Sequence, residues 1–371
     1  KSSRQRFERA LEIQNASVDQ NHPFVASTLI ELAEARRQDQ DLSGARTLLQ
    51  RALQIQEESL GRDHPAVAQT LTTLGYLEGQ SNKFAPAEAL FSRALQIRET
   101  ALGSGHKDVA RSLFDLARAK HAQGHLVASR PLYERARQIL QAQSAENRGL
   151  EDEALSKIWK SDLRGLQDYA HMLAALARDT KQPAEQQLAV SAAFVVAQEA
   201  RGWLVQAAVA KSLAQRQTQS EKALGVALRF EELRRKRVEL WARLNEIYGI
   251  PERDRSPDDL DKLKQDLSQL QHLLDQADVE LRTQAPRYAE LAQPRPLDIS
   301  SVLPLLRSDE ALISFYTLGD RVQMWLLSPS KPMIYHETQV PRAKLVALVE
   351  NVRSSIVSGH GLSNGERVPG A

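Results

Sequence analysis

Apolar residues recur at three- and four-residue intervals along most of the first 285 positions, and they do so in a unit that repeats. Arg-Ala pairs at Arg9-Ala10, Arg51-Ala52, Arg93-Ala94 and Arg135-Ala136 are each followed by an isoleucine, at Ile13, Ile55, Ile97 and Ile139, always 42 residues from the last. Other positions keep the same interval: His22, His64, His106; Val25, Val67, Val109; Leu29, Leu71, Leu113; Leu32, Leu74, Leu116; Leu48, Leu90, Leu132. So many coincidences in register mark a repeat architecture.

Within one unit the apolar positions form two helical blocks, Val67, Leu71, Leu74 and then Ala87, Leu90, Phe91, Ala94, Leu95, Ile97. Each unit is therefore a predicted helical hairpin. Polar Gln80 to Lys83 hold its inner turn, and Gly61, Asp63, His64 and Pro65 separate it from its neighbour. Pro65 suits the first helical position, where its missing N–H has no partner to lose. The three histidines invite a metal reading, but successive units stack as separate layers and no His-x-x-x-His or carboxylate cluster accompanies them. They read instead as turn and helix-cap residues.

These units resemble the tetratricopeptide repeat. Its pattern of large apolar, Leu, small, Ala, aromatic, Ala is met by Leu71, Leu74, Gly75, Ala87, Phe91 and Ala94, and in the next copy by Leu113, Leu116, Ala117, Ser129, Tyr133 and Ala136. The 42-residue period with its His-Pro turn is similar to the repeats of kinesin light chains, although Lys107 replaces the proline in the third copy. Phe7, Arg9 and Ala10 are second-helix residues without a first helix, so the first copy is expected to be truncated. The opening Lys1-Ser2-Ser3-Arg4, without an initiator Met, reads as an excised or processed piece.

After Ile139 the register fades while the helical texture continues, in blocks near 152–178, 184–217, 219–247 and 258–284. In the last block Leu260, Leu263, Leu267, Leu270, Leu274, Ala277 and Leu281 trace a coiled-coil seam. Val226, Phe230, Leu233, Leu240, Leu244 and Ile247 answer it in the preceding block, interrupted by Arg237. Pro251 and Pro257 mark a turn between them. An antiparallel hairpin is the economical solution, a coiled coil between two chains the alternative. The basic run Arg234 to Arg237 has Glu231, Glu232 and Glu239 close by and few aromatics, so it is expected to be a solvated helix face and not a nucleic-acid site.

Beyond Pro286 the texture changes. Ala311 to Thr317 and Val322 to Leu327 flank Gly319-Asp320 as a hairpin, Met333 to Glu337 offers a third strand, and Arg342 to Val357 reads as a helix with Leu345, Val346, Leu348, Val349 and Val352. Arg287-Tyr288-Ala289, Leu291, Pro294 to Pro296, Leu303, Leu305, Leu306, Asp309-Glu310-Ala311-Leu312, Phe315-Tyr316 and Trp325-Leu326-Leu327 resemble the opening of a CHAT domain, a caspase-like peptidase module that commonly follows tetratricopeptide repeats. Ala193-Phe194 to Ala197-Gln198 and the long hairpin are similar to the connector in such proteins. The resemblance implies a cysteine endopeptidase with a His-Cys dyad downstream of these strands. This chain has no Cys, and neither His336 nor His360 lies in the family's catalytic motif, so no catalytic residue is assigned.

The fold expected is mainly α: a superhelix of repeats over 1–143, a helical connector with a long antiparallel hairpin over 144–285, and the start of an incomplete α/β unit over 286–371. Composition narrows the function. A net charge of +2 gives no reason to expect nucleic acid, and no apolar stretch reaches the ~20 residues a membrane span needs. The absence of Cys removes disulfides and thiolate-bound zinc and suits a reducing, cytoplasmic setting. No nucleophile elbow, phosphate loop or metal spacing is present, so neither enzyme activity nor a cofactor is expected of the chain. The leading reading is a binding and regulatory arm whose first helices line a groove for a peptide or protein partner. Candidate contacts are Ser27, Ile30, Glu34, Gln69, Thr72, Tyr76, Arg111, Phe114 and Arg118, with Tyr76, Phe114, Arg111 and Arg118 foremost, because aromatic and Arg side chains dominate binding hot spots. A kinesin-light-chain-like adaptor, dimeric through the coiled coil, is the other reading; the oligomeric state is open between monomer and dimer.

Overall fold

The computed structural model describes residues 2–17, 21–143, 152–214, 221–250, 254–284, 299–318, 321–329 and 331–341, with a few isolated positions besides. A lone helix α1 (Ser2–Ser17) precedes three hairpins: α2 (Pro23–Gln38) with α3 (Leu42–Leu60), α4 (Pro65–Gln80) with α5 (Phe84–Leu102), and α6 (Lys107–Ala122) with α7 (Leu126–Gln143). Neighbouring hairpins share a cluster of Ala33, Ala45, Leu49, Leu74 and Leu77, and the two helices within each hairpin pack through the repeated apolar positions. Val25 and Leu29 meet Ala52 and Ile55, and one repeat later Val67 and Leu71 meet Ala94 and Ile97, all of them buried.

The repeat also dictates backbone and cap chemistry. His22, His64 and His106 are the N-caps of α2, α4 and α6, each accepting through Nδ1 the backbone N–H two residues on, at 3.2, 3.0 and 3.1 Å. That satisfies one of the orphan donors of a helix start. Inside the hairpin turns a left-handed backbone recurs at the same repeat position, filled by Gln40 (φ 64°), Asn82 (φ 57°) and Gly124 (φ 82°). Between the second helices, Glu57–Arg93 at 2.6 Å and Glu99–Arg135 at 2.5 Å are one ion pair repeated 42 residues later.

The stack does not end where the register ends. Helices α8 (Asp152–Asp179) and α9 (Pro183–Ala214) form a fourth hairpin, with α8 against α6 and α7. On its far side lies an antiparallel meander of β1 (Leu312–Leu318), β2 (Arg321–Ser328) and β3 (Lys331–Gln339), in that order across the sheet. A short helix α12 (Ile299–Val302) and a 3-10 turn at Leu303–Leu305 precede it. Ser314, Trp325 and Tyr335 are in register across the strands. Trp325 and Leu327 are fully buried, and the Trp325 ring meets Phe194 of α9 edge-on at 5.8 Å. One apolar cluster runs from Phe91 through Phe114, Tyr133, Tyr169 and Phe194 to the sheet.

Helices α10 (Glu221–Tyr248) and α11 (Pro257–Gln284) fold against each other along the expected seam, with Leu263, Leu267, Leu270, Leu274, Ala277 and Leu281 buried on α11. The basic run corrects the sequence reading. Arg235 and Lys236 are exposed, but Arg234 and Arg237 are only 4% and 3% exposed, because they occupy the stripe that faces the partner helix and the array. Their stems pack and their guanidinium groups lie over Phe230 and Trp241, at 5.7 and 5.1 Å from the ring centres. The strands match expectation to within about two residues at their ends; of the helix expected over 342–357 only Lys344, Val346 and Ala347 are described, each of them helical, and the rest lies outside the described residues.

Gly75 lets α4 approach α5: a Cβ built there would lie 2.5 Å from the Phe91 ring. Gly225, on α10, has open space around it. Gly75→Ala is therefore expected to lower stability by about 1–3 kcal/mol through overpacking. Gly225→Ala should raise it by about 0.5–1 kcal/mol through helix propensity. Urea midpoints of the two variants check the opposed signs.

Candidate functional site

The first helices α2, α4, α6 and α8 stand side by side, and the candidate residues lie along them. Ser27, Gln69 and Tyr76 are exposed and Ile30 and Glu34 half-buried, so α2 and α4 offer an open face. Toward α6 that face closes. Tyr76, 45% exposed, turns its hydroxyl inward and donates to Asp115 of α6 at 2.8 Å, while its ring packs edge-on against Phe91. Arg118 donates through Nε to Asp168 of α8 at 2.8 Å and through Nη1 to Asp115 at 3.2 Å. Tyr76, Asp115, Arg118 and Asp168 thus form one polar chain across three first helices.

Two further polar groups involve the same helices. The buried Arg98 guanidinium of α5 donates to Thr72 at 3.2 Å, to Gln69 at 3.0 Å and to Ser112. Thr72, 5% exposed, also donates to the Ala68 carbonyl. Arg111 reaches Asp162 of α8 at 3.2 Å and Asp108 at 3.0 Å. Phe114 is 2% exposed; its ring lies against Gly165 of α8 and 6.1 Å from the ring of Tyr133. Thr72 and Phe114 are therefore framework, holding neighbouring helices together, and Arg111 and Arg118 present partly exposed edges whose donors are engaged from within.

The electrostatics follow from burial. Desolvation lifts the Asp115 carboxyl above its ordinary value against the pull of Arg118, the Tyr76 hydroxyl and Arg98. Burial and the Asp115 charge push the Tyr76 hydroxyl up. Burial opposes the charge on Arg118, but Asp168 and Asp115 outweigh it and hold the guanidinium protonated. Asp115, Asp162, Asp168 and Arg98 are missing from the sequence-derived set. Asp115 replaces Thr73 at the same repeat position, and Asp162 and Asp168 lie beyond the register, where no spacing pairs them with α6.

A further polar centre joins the sheet to the stack. Glu337 of β3 accepts from Gln323 at 2.9 Å, Tyr335 at 3.0 Å and Arg178 at 3.2 Å, and its Oε2 lies 3.5 Å from His171 Nδ1. His171, then burial opposing it, then Gln323 and Tyr335 act on this carboxyl, with the net result far below the carboxylate range. His336 is exposed on the other face of the sheet, and His360 lies outside the described residues. No group of three or more His, Cys, Asp or Glu arranged to hold a metal occurs among the described residues, and no described helix is long and apolar enough to cross a membrane.

Residues 24–100 and 87–142 match the family model of the tetratricopeptide repeat. This stretch is an array of tetratricopeptide repeats. Solved structures similar to the chain include a Podosopora anserina protein of nearly identical TPR-like repeats, described as a kinesin light chain, with 22% identity over 58% of this chain and 88% of that one and a TM-score of 0.38. A singly substituted form of the same protein matches at 22% identity, over 58% and 87% of the two chains, with a TM-score of 0.39. BtubC (BKLC) of P. vanneervenii matches at 17% identity, over 53% and 72%, with a TM-score of 0.38. No curated protein matches.

Because the Arg118 charge is tied to a buried carboxylate, Arg118→Ala should cost about 3 kcal/mol or more, the penalty of a broken buried pair. Arg9→Ala, which breaks the exposed Arg9–Glu12 pair, should cost under about 0.5 kcal/mol. Thermal and urea denaturation of both variants would expose an error if the two losses came out equal.

Proposed function

We propose that the chain is a protein-binding and regulatory arm, in which the tetratricopeptide array takes a peptide or protein partner on its first-helix face and passes the event to a downstream caspase-like peptidase of the CHAT type. The observation that carries this reading is the division of the face into an open part on α2 and α4 and a part around α6 that is tied to α8. Ser27, Gln69 and Tyr76 are available to a ligand on the open part. The tied part connects through Phe114, Gly165 and the α8–α9 hairpin to Trp325 in one continuous core. A partner that alters the spacing of α4 and α6 would therefore strain contacts that end at the sheet. The peptidase itself rests on the resemblance of residues 286–350 to the start of a CHAT domain; the partner-binding role rests on the repeats.

Two experiments separate these parts. Peptides selected from a random library against the intact chain should lose at least tenfold in affinity for Ser27→Arg, whose far-UV circular dichroism stays unchanged; undiminished binding would place the ligand elsewhere. Sequencing the gene beyond the codon for Ala371 should reveal a His and a Cys in a caspase-like context, and a stop codon or an unrelated domain there would remove the peptidase from the proposal.

A further inference from the structure

The α10–α11 hairpin lies along the edge of the array formed by the inter-repeat turns, and it meets that edge at repeat positions. His64 and Tyr248 meet edge to face at 5.6 Å, and His106 and Trp241 do so at 4.8 Å. Trp241 and Tyr248 are seven residues apart on α10, about 10.5 Å of helix. That is close to the ~8–10 Å between packed neighbouring helices, so one helix reads two successive repeats. The contact continues through the backbone. Tyr248 donates its hydroxyl to the Ala101 carbonyl at 3.3 Å, Arg255 donates to the Leu60 carbonyl at 3.2 Å, and Ala101 and Leu102 join the apolar core of the hairpin.

Both clasped histidines are held neutral by geometry. Each Nδ1 accepts a backbone N–H as the helix cap, so it carries no proton. The other nitrogen of His64 bonds the Tyr248 carbonyl, which can only accept, so Nε2 carries the proton. A second proton would have to displace the cap bond beneath the hairpin, where His64 and His106 are 8% and 5% exposed. His22 caps α2 in the same way, its ring beside the exposed Phe24.

We propose that α10–α11 is an acid-released clasp: protonation of His64 and His106 detaches the hairpin from the turns of the second and third repeats while the array stays folded. The charges around His106 are Lys107, Asp108 and Arg111 on its own helix and Arg98 on α5; on the hairpin side Arg237 stacks on Trp241 and bonds Gln271, with Asp275 near it. Around the His64 contact stand Asp63, Arg255 over the Tyr248 ring, and Asp261 of α11. Burial pushes His106 down to about 4, outweighing Asp108, whose carboxylate lies 3.7 Å from Nδ1. Opening removes that burial and lifts the value back toward the ordinary 6.5, so the open form binds the proton more readily. Clasping is therefore at full strength above about pH 7 and weakens as the pH falls from 6.5 to about 4; His106 alone shifts the closed-to-open ratio by a factor on the order of ten to a hundred.

The chain has no cysteine, so two can be introduced cleanly at the exposed Glu58 of α3 and Glu246 of α10 and spin-labelled for distance measurement. At pH 7.5 the labels should give one short distance. At pH 4.5 a long, broad population should appear while far-UV circular dichroism keeps the helical signal of the repeats. His64→Asn/His106→Asn retains a capping oxygen that does not titrate, and should keep the short distance at both pH values. An unchanged distance at pH 4.5 in the parent, equal opening of the Asn variant, or unfolding of the array before the hairpin leaves would each overturn the proposal. Should the double variant not fold, His106→Asn alone must shift the opening to lower pH.

Discussion

A stacked hairpin buries one apolar face against its predecessor and presents another, so the array depends on every layer being covered by the next. The repeats satisfy this among themselves with a fixed set of residues. The third repeat has no fourth copy to lean on, and its outer face carries Phe114, Tyr133 and the arginines Arg111 and Arg118. The α8–α9 hairpin covers that face without sharing the repeat sequence. Gly165 admits the Phe114 ring, Tyr169 stacks on Tyr133 with the rings 5.2 Å apart, and Asp162 and Asp168 meet the two arginines. The sheet then covers α9 in turn, with Trp325 against Phe194. The connector and the sheet are thus consequences of the stacking requirement.

Coverage by a helix outside the repeat register changes what the inner face can do. Charged residues there would be costly to bury alone, and each is matched: Arg118 by two carboxylates, Arg111 by two, Arg98 by the neutral acceptors Thr72 and Gln69 of α4 and Ser112 of α6. A buried ion pair contributes little net stability over apolar packing, but removing one partner is expensive, so these pairs fix which helix sits beside which. Specificity of assembly and availability for a ligand compete for the same side chains. On α6 these side chains are engaged in assembly, and the exposed part of the first-helix face lies on α2 and α4.

The period, the hairpins, the histidine caps and the strands were legible because they are local: a 42-residue interval, a three- and four-residue rhythm, a Gly-Asp turn. Which candidate side chains would face solvent was not legible. Phe114 reads as an exposed aromatic only if the next layer is absent, and nothing near Phe114 in the sequence announces that Gly165, 51 residues later, makes room for it. Arg237 looked like a break in a coiled-coil seam, yet it sits where α10 meets the array, its guanidinium over Trp241 and bonded to Gln271 of α11. In both cases the missing information is a contact between segments whose relation carries no periodic signature.

The hairpin resting on the turns adds a mechanical constraint that the repeats alone lack. A repeat superhelix changes curvature by small rotations between layers, which open one edge of the stack as they close the other. Two aromatic side chains at fixed spacing on one stiff helix hold two successive turns at a set separation, and two carbonyls at the ends of α3 and α5 are tied to Arg255 and Tyr248 of the same hairpin segment. Rotation between the second and third repeats would have to break at least one of these contacts. Since α4 and α6 belong to those repeats and carry Tyr76 and Asp115, the geometry of the first-helix face is set partly from the opposite end of the hairpins. A state with the hairpin detached would free that rotation without altering any residue on the face itself.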